Sequence, residues 1–112
     1  MTKKPGADLG KYGGPPTLIL TSLASGPKHG YALTKDIQEF AGVELGPGTL
    51  YGALARLERD RLIEALPGED RRRPYRLTPG GAGALETHLA LQRHISDVGL
   101  SRLKAVRKLA PA

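Results

Sequence analysis

Residues 46–66 read GPGTLYGALARLERDRLIEAL, a stretch that runs from a helix start directly into a strand. At ~100° per residue its helical part divides into two faces. Leu50, Ala53, Leu54 and Leu57 lie on one side and suit a core. Gly48, Gly52, Ala55, Arg56 and Arg59 lie on the other, with Tyr51 at the border. A face made only to be wet draws on good helix formers such as Glu, Lys and Gln. Two glycines there cost about 1 kcal/mol each relative to alanine. In return they allow a partner to come close to the helix backbone. A plainer alternative stands beside this one: Gly48 belongs to the helix start and Gly52 is tolerated. Gly46 is an acceptable N-cap, and Pro47 suits the first helical position, where no N–H is needed. The outward N–H groups of that first turn favour an anion.

Downstream, Ile63 with Ala65 and Tyr75 with Leu77 follow the two-residue alternation of strands, and Pro67-Gly68 marks a turn region between them. This predicts a hairpin whose tip holds Glu69, Asp70, Arg71, Arg72 and Arg73. From Arg71 to Arg76 there are four arginines and no acid. A charge run is commonly just solvated. On a protruding hairpin, next to a helix with its own outward arginines, it points to a polyanionic partner.

Thr78 and Pro79 then open a last helix as N-cap and first-turn proline. Gly80, Gly81 and Gly83 predict a weak first turn. No proline interrupts it before residue 110, so a continuous helix would be about 45 Å long at ~1.5 Å per residue. That exceeds what the preceding body can cover. Leu85 and Leu89 are expected to rest on their own domain. Leu91, Ile95, Val98, Val106 and Leu109 lie on another side, broken by Arg102, and have only a second chain to bury against. The expectation is a two-fold homodimer.

Upstream, residues 15–25 begin with a proline pair and place Ile19, Leu20, Leu23 and Ala24 at helical spacing, with Gly26-Pro27 ending the segment. Residues 30–41 put Leu33, Ile37, Phe40 and Ala41 on one amphipathic stripe, closed by Gly42. Lys28 and His29 lie just before that helix, where a phosphate would sit; His29 reads as a local hydrogen-bonding residue. Residues 1–14, with Lys3, Lys4 and Lys11, read as a mobile basic arm with a general attraction for phosphates.

The totals fit this plan. The 112 residues allow one modest core, and the formal charge of +6 favours nucleic acid or another acidic surface. The chain has no cysteine, which excludes disulfides, a thiol nucleophile and a thiolate metal site. His29, His88 and His94 are scattered; Asp97 three residues beyond His94 is a weak metal signal, and Glu69-Asp70 sits at a hairpin tip rather than in a shielded cleft. The reading therefore holds no catalytic residue, no metal site and no cofactor. The longest apolar run, residues 18–20, is too short for a membrane, and the first lysines lack the apolar core of a signal peptide. The expected location is the cytoplasm, at the nucleoid when bound.

Three short helices, a hairpin and a long helix make a mainly α winged helix-turn-helix with a C-terminal dimerisation helix. The boundaries expected are 1–14 for the arm, 15–77 for the DNA-binding domain and 78–112 for the long helix. In such a unit the third helix enters the major groove of double-stranded DNA. Arg56 is then placed to read a guanine, and Thr49 and Ala55 a thymine methyl. A dimer would present two such helices ~34–36 Å apart, or a multiple, to an inverted repeat. The rival reading is a sequence-blind architectural binder, which the same charge would serve.

The runs LILTSLASGPKHGYALTKDI (18–37), LGPGTLYGALARLERDRLIEAL (45–66) and RRRPYRLTPGGAGAL (71–85) resemble the PadR family of bacterial transcriptional regulators. The HGY of residues 29–31, the PGTLY of residues 47–51 and the basic wing before YRLT carry the resemblance together. It implies a winged-helix homodimer, usually a repressor, which in many relatives is released from DNA by a small aromatic or lipophilic compound bound between subunits. By position it implies that Thr49 and Tyr51 contact DNA from the third helix, Arg71, Arg72 and Arg73 from the wing, and Tyr31 and Lys28 near the phosphates at the second helix. Gly46 stands where relatives usually carry a serine cap, and Gly52 where they often carry proline. The long helix has no tryptophan, so an aromatic-lined effector pocket at the dimer axis is not expected.

Overall fold

The computed structural model describes residues 14–68 and 73–109, except the side chain of Leu109. Helices α1 (Pro15–Leu23), α2 (Gly30–Ala41) and α3 (Pro47–Arg59) are followed by strands β1 (Ile63–Ala65) and β2 (Tyr75–Leu77) and by helix α4 (Pro79–Leu109). This is the expected mainly α winged helix-turn-helix. The molecule measures 60 × 28 × 27 Å, because α4 runs far beyond the body.

Each short helix buries one stripe in a common core. Ile19, Leu20 and Leu23 come from α1, Leu33 and Ile37 from α2, and Leu50, Ala53, Leu54 and Leu57 from α3. Leu45, Leu62, Ile63 and Leu85 close it. The stripe of α2 ends earlier than its periodicity implies. Phe40 is 47% exposed and Ala41 is exposed, because the cover on that face stops before the last turn. Gly42 then ends α2 in the left-handed region, at φ 68°.

The passage from α3 to β1 is a Schellman turn. The Leu62 N–H donates to Leu57 O, and the Arg61 N–H to Glu58 O, both at 3.0 Å. Arg61 adopts φ 62°, a conformation that usually selects glycine. Thr78 holds this corner: its Oγ1 donates to Arg61 O at 2.8 Å and accepts from the Gly81 N–H at 2.9 Å, capping α4. The first turn of α4 is therefore fixed, against the expectation of weakness. Gly81 is buried against Leu62, and a Cβ there would collide with the Leu62 carbonyl oxygen and lie 2.9 Å from Leu77 Cδ1.

The strands pair antiparallel, Ile63 with Leu77, Glu64 with Arg76 and Ala65 with Tyr75. Ile63 faces the core, while Glu64 and Arg76 face out. A third segment joins the ladder at Lys28: its N–H donates to Tyr75 O at 3.1 Å, and the Tyr75 N–H donates to Lys28 O at 2.9 Å. The hairpin is thereby tied to the turn that precedes α2.

Candidate nucleic-acid interface

Helix α3 starts at Gly46, whose extended backbone accepts the Leu50 N–H at 2.9 Å and whose place no side-chain cap shares. The N–H groups of the first turn are open to an external acceptor. Gly48, Thr49, Gly52, Ala55, Arg56 and Arg59 are all exposed, opposite the buried face. A Cβ built on Gly48 or Gly52 meets no protein atom within 4 Å. Among the described residues nothing needs glycine at either position. Pro15 and Pro16 of α1 wall one side of this surface, leaving a notch of about 330 Å³ lined also by Gly48, Thr49, Gly52 and Arg56.

Tyr51 is 49% exposed, and its ring leans across the first residue of α2. The Cβ position of Gly30 is filled by the Tyr51 hydroxyl, with Cζ 3.1 Å away. Tyr31, next in α2, is 73% exposed. The turn at residues 28–30 thus touches both surface elements, the hairpin through Lys28 and α3 through Gly30.

Lys28, expected beside a phosphate, has partners within the chain. Its Nζ donates to Ser22 O at 2.5 Å and to Ser25 Oγ at 2.7 Å, closing the C-terminal end of α1. A cation there satisfies carbonyls that the helix leaves unpaired. Nearby, the buried Ser22 Oγ donates to Asp36 Oδ2 at 2.6 Å and links α1 to α2. On the hairpin, Arg73 is exposed, while Arg71 and Arg72 lie outside the described residues. Arg76, counted with them in the basic run, is bound across the strands to Glu64, with Nε 2.9 Å from Oε2. Its charge is locally compensated.

Along α4, Leu91, Ile95 and Val106 are exposed and Val98 is half-buried; the side chain of Leu109 lies outside the described residues. Leu89 is 39% exposed and, with Leu77, Leu85 and Ala90, lines a largely apolar groove of about 580 Å³, edged by Glu86 and Arg93, instead of resting fully on its domain. Leu100 and Leu103 are exposed too, at 62% and 48%. They continue the row that begins at Leu85 and Leu89, interrupted by Arg93 and Ser96. The three- and four-residue spacing of that row was present in the sequence, but its two polar members hid it. The two apolar sides expected of α4 are both present, and the one that starts at Leu85 and Leu89 runs further than expected, to Leu100 and Leu103. Among the described residues no helix is long and apolar enough to cross a membrane.

A family model described as the Transcriptional regulator PadR-like family matches residues 19–87, which run from the second half of α1 through α2, α3 and the hairpin into the start of α4. The chain belongs to this family. A transcriptional regulator of Mycobacterium tuberculosis is 38% identical over 84 residues, spanning 71% of this chain and 78% of that protein. An uncharacterized 37.1 kDa protein of a Streptomyces fradiae transposon is 52% identical over 69 residues; they make up 62% of this chain and only 20% of that protein. Among solved structures, a PadR family transcription regulator from Clostridium difficile superposes with a TM-score of 0.70 at 33% identity, covering 78% of this chain and 95% of that one. The PadR-like family is one of DNA-binding transcriptional regulators, not of enzymes, and the reading of this chain as a regulator without catalytic residues follows from membership.

Proposed function

We propose that this PadR-like regulator works as a homodimer that grips an inverted-repeat operator in double-stranded DNA and represses transcription from it. One observation carries the reading: α3 presents a face of small residues, with an arginine flank, whose glycines no described part of the fold requires. A smooth helix surface lets the backbone and Thr49 come close to base edges, while Arg56 reaches toward a guanine. Arg71, Arg72 and Arg73 on the wing supply phosphate contacts, and Tyr31 adds one beside α2. The two apolar rows of α4 supply the dimer contact, and the cytoplasm supplies the location. An effector enters through the family resemblance; the groove at Leu85 and Leu89 is lined by aliphatic side chains together with Glu86 and Arg93 and by no aromatic one, so its chemistry suits a lipophilic compound rather than a stacked aromatic one.

The test is a selection of duplexes from a random pool by the purified protein, followed by anisotropy titration of the selected duplex against random duplex at fixed salt. The proposal expects affinity at least ~10³-fold higher for the selected sequence, and loss of that affinity in Tyr51→Ala and Arg72→Ala with the dimer intact. Equal affinity for both duplexes would make this a sequence-blind binder.

A further inference from the structure

We infer that Gly30 is a positioning residue for DNA binding: it is glycine so that the side chain of Tyr51 can lie across the start of α2 and present its hydroxyl at one fixed place. This inference rests on the reading of α3 as the duplex-facing helix, and it concerns a residue that faces no solvent itself.

Gly30 is the first residue of α2, and its backbone is ordinary, so no conformational demand selects glycine there. It is nevertheless buried, and what occupies the place of its missing side chain is the Tyr51 phenol. The hydroxyl lies too close to the ideal Cβ position for a Cβ to fit without a shift, and the ring carbons Cζ and Cε1 lie 3.1 and 3.5 Å from that position. The tyrosine as a whole is half-exposed, and the start of α2 is the seat on which its hydroxyl end rests. A half-exposed tyrosine free to rotate must lose that freedom when it binds. Seated on Gly30, it has lost that freedom beforehand. The same turn holds the hairpin through the paired backbone of Lys28 and Tyr75, so the seat for Tyr51 and the anchor of the wing are two residues apart. Gly30 thereby fixes the spacing between a contact on α3 and the wing.

Alanine suits a helix better than glycine does, so Gly30→Ala harms only through its collision with Tyr51. The experiment is a double-mutant cycle of Gly30→Ala and Tyr51→Ala. It has two readouts: anisotropy titration of the selected duplex, and the ring resonances of Tyr51 in ¹³C-tyrosine-labelled protein, identified as those missing from Tyr51→Ala. The expected result is that Gly30→Ala shifts the Tyr51 resonances and weakens duplex binding about tenfold, the loss of one hydrogen bond to a charged group. In the Tyr51→Ala background the same change should cost nothing further. If Gly30→Ala melts early, the double variant should restore the melting temperature. An unmoved ring, unchanged binding with a moved ring, an equal loss in both backgrounds, or no restored melting each overturns the inference. Wild-type binding by Tyr51→Ala would overturn it as well. Arg72→Ala, titrated in the same series, then shows whether the duplex-binding reading itself survives.

Discussion

An added methyl at Gly81 would run into the Leu62 carbonyl, whereas one at Gly52 would project into open space. Both are helical glycines, and composition alone cannot tell them apart. Gly81→Ala is expected to destabilise the fold by about 2 kcal/mol, since backbone on both sides of the collision must shift. In a domain of this size that lowers the thermal midpoint by several degrees. Gly52→Ala should do the reverse, raising stability by about 0.5–1 kcal/mol through better helix propensity. If a duplex approaches the α3 backbone at Gly52, that same variant binds the selected duplex more weakly. Thermal melts and duplex titrations of the pair check both signs. A Gly52→Ala protein that is more stable and binds equally well would mean that Gly52 is merely tolerated.

At the scale of elements, the proposed function divides the work between α3, which would read, and the wing, which would hold. The wing's contribution is charge, and it is measurable as a salt slope. Each phosphate neutralised contributes about −0.9 to the slope of log affinity against log salt. Replacing Arg71, Arg72 and Arg73 by glutamine should therefore flatten the slope by about 2.7 if all three touch phosphate. Specificity for the selected over random duplex should change far less. Arg76→Gln should barely alter the slope, because Glu64 already accepts from that guanidinium. Titrations at four salt concentrations separate these outcomes. The core side of these elements was legible in the sequence, since the burial of Leu50, Ala53, Leu54 and Leu57 follows directly from their spacing. The engagement of Lys28 was not: it depends on a helix end six residues earlier in the chain folding back within reach. The Arg76–Glu64 pair was hidden in the same way, because register across the hairpin is set by the strands and not by local order. The seat of Tyr51 on Gly30 joins residues 21 apart, and no periodicity reports such a contact.

For the whole molecule, the decisive feature is the 31-residue α4, which leaves a body far shorter than itself. Exposed Leu91, Ile95 and Val106 form one row, and Leu100 and Leu103 extend another on a different side of the same helix. A helix that pairs with a single partner helix along a seam needs one row. If the chain dimerises as proposed, two rows call for α4 to meet the second copy on two sides, one along its own counterpart and one against the counterpart's body. Symmetry then makes each contact occur twice. Ile95→Asp and Leu103→Asp test this separately, because each places a charge in only one row, and a buried unpaired carboxylate is strongly disfavoured. Both variants are expected to sediment as monomers at concentrations where the parent is a dimer, with their short-helix domain still folded by circular dichroism. A Leu103→Asp protein that remains dimeric would reduce the interface to the row of Ile95. Loss of the dimer should also cost more duplex affinity than either residue's distance from DNA suggests. A monomer holds one half-site without the effective concentration that tethering gives the second.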